Sequence, residues 1–102
     1  MESKKGLIKV RLKEVEEILL KNHLLKKYNI NQIGIFGSIA RGENGNDIDI
    51  LINDSSKIKN SIELKKELEN ITNTKVDIMI EKYANPIVLY RAKKELIYVE
   101  EY

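Results

Sequence analysis

A chain of 102 residues with eighteen basic and sixteen acidic side chains, a net charge of +2 and no cysteine suits one domain, placed over residues 1–102. A domain of this size removes about 65% of its unfolded surface from water and needs no disulfide. The near balance of charge excludes a basic nucleic-acid platform, so nucleic acid is not expected as a direct partner. With no long apolar span and no basic-apolar leader pattern, no membrane association is expected and a cytoplasmic protein is the default.

From about Lys5 to Lys27, Leu7, Val10, Val15, Ile18, Leu19, Leu24 and Leu25 recur at roughly helical spacing among Lys and Glu, which predicts one amphipathic helix. Its Lys-rich face reads as solvated. His23 is the sole histidine and lacks a Cys or second His to complete a metal site, so a structural role at the surface or core edge is expected.

Gln32–Phe36 predicts the first strand, and the chain then enters Gly37-Ser38-Ile39-Ala40-Arg41-Gly42. Gly37 permits a tight turn in which backbone approaches a ligand closely. Ser38 is expected to cap the short helix that follows, its hydroxyl and the free N–H groups of that turn suiting phosphate oxygens. An ordinary strand-turn-helix cap explains Gly-Ser equally well. Neither Gly-x-x-x-x-Gly-Lys-Ser/Thr nor Gly-x-Gly-x-x-Gly occurs, so the common nucleotide loops are excluded. Arg41 could neutralise phosphate charge as a forked donor or pair with a carboxylate to stiffen the loop.

After a short Glu43–Asn46 connection, in which Asn44-Gly45 suits a tight turn, Asp47 to Ile52 predicts the second strand. Alternation puts Asp47 and Asp49 on one side, with Cα atoms about 6.6–7 Å apart, and Ile48, Ile50 and Ile52 on the other. A solvated strand end explains an isolated Asp-x-Asp pair. A third candidate, Asp77, lies in Lys75–Ile80 and joins the pair if the two strands are neighbours. Carboxylates about 4 Å apart repel by up to roughly 4 kcal/mol at an effective dielectric of 20, so such a cluster calls for a cation. Hard oxygen ligands and substrate phosphates suit Mg²⁺.

Asp54-Ser55-Ser56 punctuates the chain before a helix from Lys59 to Asn70, and Asn73-Thr74 breaks it. Val76–Ile80 predicts a third strand, Pro86 opens a short helix through about Lys94, and Ile97–Val99 predicts a last strand. Strands alternating with helices indicate an α/β or α+β fold. Tyr83, Tyr90, Tyr98 and Tyr102 could stack on adenine or face a partner, although packing with a wet hydroxyl is the default for such tyrosines.

Taken together, Gly37-Ser38, Arg41-Gly42, Asp47-Ile48-Asp49 and Asp77 resemble the signature of the minimal nucleotidyltransferases of the DNA polymerase beta-like superfamily. Asn85-Pro86-Ile87, the helical stretch after it and Leu96-Ile97-Tyr98-Val99 are similar to that family's C-terminal tail. The resemblance implies a mixed β-sheet flanked by helices, with ATP as substrate and Mg²⁺, as two ions, as cofactor. It also implies Asp47, Asp49 and Asp77 as catalytic and metal residues, with Gly37, Ser38 and Arg41 at the nucleotide. A further implication is a HEPN ribonuclease toxin as partner, inactivated by AMP placed on a tyrosine, with this chain as its antitoxin. The chain departs from the family pattern in its short Glu43–Asn46 connection, where Asn46 stands in place of the usual Ser. Two other functions stay open: neutralisation of a toxin by contact alone, and nucleotidyl transfer to a small molecule or RNA end.

Overall fold

The computed structural model describes residues 11–43 and 47–101. Its first helix, α1 (Leu12–Lys21), opens with the Arg11 N–H donating to the Glu14 side chain at 2.9 Å and closes with Lys21 in its last turn. Both charges complement the helix dipole. The single helix expected to run through to Lys27 is instead two, because His23 adopts a left-handed conformation (φ 51°) and interrupts the hydrogen-bond ladder. A second short helix, α2 (Leu24–Lys27), follows. The break has a packing consequence: Val15 and Leu19 of α1 and the sequence-adjacent Leu24 and Leu25 of α2 are all fully buried. His23 is structural, its Nδ1 lying 2.6 Å from Glu101 Oε2 while the Lys26 N–H donates to the same carboxylate at 3.0 Å. The expected helical positions from Lys5 to Val10 lie outside the described residues.

The remaining elements are β1 (Gln32–Phe36), the single-turn α3 (Gly37–Ala40), β2 (Asp47–Ile52), α4 (Ile58–Thr72), β3 (Lys75–Ile80), α5 (Pro86–Lys94) and β4 (Ile97–Glu100). Short 3-10 turns at Ser55–Lys57 and Glu81–Tyr83 precede α4 and α5. Asn73, left-handed at φ 53°, ends α4 where the Asn73-Thr74 break was expected. Asn85 Oδ1 accepts from the Ile87 and Val88 N–H groups at 2.9 and 3.3 Å and Pro86 occupies the first turn of α5. Pro fits there because that N–H has no helical partner.

The four strands form one mixed sheet in the order β3-β2-β1-β4. β1 is antiparallel to β2 and to β4, whereas β2 and β3 are parallel, a pairing that requires the crossover α4 supplies. On one face Ile33, Ile35, Ile48, Ile50, Ile52, Val76 and Val99 join Val15, Leu19, Leu24, Leu25, Ile39, Leu64 and Leu68 in a continuous core. Each such aliphatic side chain contributes about 1.5–3 kcal/mol on burial. This is the mixed, helix-flanked sheet that the family resemblance implied.

The opposite face is divided. Asp47 and Asp49 occupy one end of it, but Leu51, two residues on, is fully buried. Beside Leu51 in register is Gly34, where a Cβ would overlap the Leu96 side chain. The chain leaving α5 therefore lies directly on β1. Among the described residues no helix is long and apolar enough to cross a membrane.

Candidate functional site at the Gly37 turn and the Asp47–Asp49 strand

Antiparallel pairing sets Phe36, the last residue of β1, opposite Asp49 of β2. The turn that follows Phe36 is thereby delivered to the Asp49 carboxylate. Gly37 takes φ +79°, and a Cβ built on it would overlap Asp49 Oδ2 and lie 3.2 Å from Asp49 Cγ. Glycine is required here twice over, for its backbone conformation and for the space.

The α4 crossover brings β3 alongside with Asp77 paired to Asp49 and Lys75 paired to Asp47. Paired strands run about 4.8 Å apart, so register partners in a parallel pair project on the same side. Asp77 also faces a cation, its Oδ1 lying 3.7 Å from Lys75 Nζ. The electrostatic result is concentrated on Asp49. Burial pushes its carboxyl up to about 6, the Asp77, Asp47 and Glu95 carboxylates add to the rise, and the Arg41 guanidinium opposes it. A half-buried acid surrounded by others is the donor set expected of a hard divalent cation. As the side chains stand, no three Asp, Glu or His groups among the described residues gather closely enough to enclose an ion. Asp49 and Asp77 are in register for it, and the Lys75–Asp77 ion pair is an exposed one that a stronger cation would replace.

Ser38 is not the cap that the sequence suggested. Phe36 holds the cap position and Ser38 is the second residue of α3, because Gly37 turns the chain one residue earlier than a serine cap would. The Ser38 carbonyl accepts from the Arg41 and Glu43 N–H groups at 3.2 and 3.0 Å. Its half-buried hydroxyl has no hydrogen-bond partner among the described residues, which leaves it available to a ligand oxygen.

Arg41, which sequence left between two roles, pairs with two carboxylates. Its Nε is 3.2 Å from Glu43 Oε2 and its Nη1 is 3.1 Å from Glu95 Oε1. Glu95 also accepts the Gly37 N–H at 2.8 Å through Oε2. Sequence reasoning missed Glu95, which no motif spacing connects to Gly37. Its one signal is an acid at the C-terminal end of α5, where the dipole disfavours negative charge. Next to these groups opens a groove of about 470 Å³ with Phe36, Val88 and Ala92 as apolar wall and Arg41, Arg91 and Lys94 as cations.

The tyrosines do not pack as expected: Tyr83 and Tyr90 are 67% and 64% exposed, and Tyr98 is half-exposed. They sit on or beside α5 and β4. Tyr102 and the Asn44–Asn46 turn lie outside the described residues.

A glycine turn ending one strand, set against paired aspartates on the next, is the arrangement of a nucleotidyltransferase site. Residues 16–101 match the family described as Polymerase beta, Nucleotidyltransferase, and the chain belongs to that family. It is 39% identical to the Methanocaldococcus jannaschii protein MJ1379, provisionally named a protein adenylyltransferase, over 86% of this chain and 97% of that one. It is 31% identical to the protein adenylyltransferase MntA of Thermococcus cleftensis, over 86% of this chain and 95% of that protein. Among solved structures, a chain of a toxin–antitoxin crystal structure with AMP-PNP superposes with a TM-score of 0.60 at 27% identity, covering 81% of this chain and 70% of that one.

Proposed function

We propose that this chain, acting as one domain, is a Mg²⁺-dependent protein adenylyltransferase. It transfers AMP from ATP to a tyrosine hydroxyl of a HEPN ribonuclease toxin and so serves as the antitoxin of the pair in the cytoplasm. The observation that carries the reading is the Asp49 carboxylate, in register with Asp77 on the neighbouring strand and packed against Gly37 of the turn. That contact supports a metal-binding carboxylate and a phosphate-binding turn acting side by side. The names borne by the relatives, protein adenylyltransferase and toxin–antitoxin with AMP-PNP, support the same reaction.

Asp47, Asp49 and Asp77 would hold the divalent metal, whose charge, as two ions, supplies electrostatic stabilisation of the phosphoryl oxygens. The chain's own residues do the rest. The Gly37 N–H, the Ser38 hydroxyl and the Arg41 guanidinium bind and orient the terminal phosphates. Asp77, its side chain 44% exposed, accepts the proton of the incoming hydroxyl as the new O–P bond forms and pyrophosphate leaves. Positioning and fixed charge dominate such a transfer. The solved toxin–antitoxin structures that this chain resembles support an acceptor supplied by a partner.

Incubating the protein with labelled ATP, Mg²⁺ and a HEPN ribonuclease toxin co-purified with it tests the proposal. The toxin should gain AMP on tyrosine by mass spectrometry, and Asp47→Ala with Asp49→Ala should abolish both the adduct and the protection. Full protection by the double variant, with unmodified toxin, would establish neutralisation by contact in its place.

A further inference from the structure

Glu95 reaches from the end of α5 back to the turn after β1, a separation of 58 residues. Its Oε2 accepts the Gly37 N–H at 2.8 Å, and its two oxygens lie 3.1 and 3.2 Å from Arg41 Nη1. The side chain is 25% exposed. The last turn of α5 bears Arg91, Lys93 and Lys94, but the helix end itself does not favour an acid. The end of a helix carries partial negative charge, and Glu95 adds to the repulsion that already raises Asp49. What holds the carboxylate is the pair of donors it meets, one backbone amide and one guanidinium. A phosphate oxygen would use the same two.

We propose that Glu95 sets the affinity of the nucleotide site: its carboxylate occupies the anion position formed by the Gly37 N–H and the Arg41 guanidinium until a nucleotide phosphate displaces it. This rests on the nucleotidyltransferase reading above. A polyphosphate brings more charge and more acceptor oxygens than a single carboxylate, so it wins the donors, whereas a small monoanion gains no advantage over Glu95. Before displacement Glu95 keeps Arg41 aligned. After it, the carboxylate swings toward Arg91, one helical turn earlier and lining the adjoining groove. An internal competitor lowers the apparent affinity by the fraction of molecules whose site is open.

The test uses calorimetry on the whole chain with Mg²⁺, titrating a non-hydrolysable ATP analogue and, separately, inorganic tripolyphosphate, with thermal melting alongside. Glu95→Gln keeps an acceptor for the Gly37 amide but removes the charge, and it should bind both ligands about 3- to 10-fold more tightly than the wild type. Glu95→Asp, which withdraws the charge by one methylene, should show a smaller gain, and it carries the test if Glu95→Gln does not fold. Unchanged or weakened binding of both ligands in a folded variant would overturn the proposal and leave Glu95 as a structural partner of Arg41. In that case wild-type binding of the ATP analogue leaves the adenylyltransferase reading intact. If wild type and variants bind neither ligand, that reading fails as well.

Discussion

The Asp49 carboxylate fills the space that a side chain at Gly37 would need. A Cβ at position 37 would overlap Asp49 Oδ2, and the glycine backbone stands at φ +79°. The contact is made by register: Phe36 is the Cα partner of Asp49, so the first residue past β1 has nowhere to go but over that carboxylate. The Gly37 turn and the Asp47–Asp49 strand are thereby locked to each other.

Gly37→Ala should therefore cost more in function than in folding. The left-handed backbone is strained by about 1–2 kcal/mol for any residue with a Cβ, and the Asp49 side chain must rotate away. Expected outcomes are a lower melting temperature by a few degrees and a loss of AMP transfer of at least 100-fold. A variant that melts lower yet transfers at the wild-type rate would show that Asp49 is not held by Gly37 for catalysis.

Asp49→Asn should stabilise the metal-free protein at pH 8 and lose that advantage at pH 4. The folded chain holds the Asp49 proton up to about pH 6, whereas an unfolded aspartate releases it near 4. Because the folded state binds more protons in that window, stability falls as pH rises from about 4 through 6 and is level above it. The shift sets an upper bound of roughly 3 kcal/mol, nearer 1–2 kcal/mol for a half-buried carboxyl after solvent screening. Thermal melts of both proteins from pH 4 to 8 measure it; a difference that grows toward low pH would contradict the cause assigned here.

Added Mg²⁺ should reverse the order at pH 8, raising the wild-type melting temperature and leaving that of Asp49→Asn unchanged, since a ligand that binds only the folded state stabilises it by mass action. Below about pH 6 the wild-type response should fade as Asp49 takes up its proton. A Mg²⁺ response of equal size in both proteins would remove Asp49 from the metal site.

Ser38→Ala should weaken binding of the ATP analogue by roughly 1–3 kcal/mol, the range for a hydrogen bond to a charged group, with little change in melting temperature. Among the described residues the hydroxyl has no hydrogen-bond partner, so its removal breaks no contact seen there. Calorimetry showing unchanged affinity would place the phosphates elsewhere.

The β-strands at Gln32–Phe36 and Asp47–Ile52 and the helix at Pro86–Lys94 were readable from the chain alone. Alternation, a proline at the helix start and the turn residues between them are local signals, and local sterics decide them. The pairing of Asp47 with Asp49 on one face was legible for the same reason. Whether Asp77 stands beside Asp49 depended on a crossover of more than twenty residues, and only the parallel register of β2 and β3 settled that. His23 broke the first helix through a backbone state that its side chain does not announce. Leu51, on the same face as Asp47 and Asp49, is buried beside Gly34, over which Leu96 lies from a distant part of the chain. Glu95 reached Gly37 and Arg41 for the same kind of reason: which charges meet across 54 or 58 residues is decided by how helices dock on the sheet, and no short spacing encodes it.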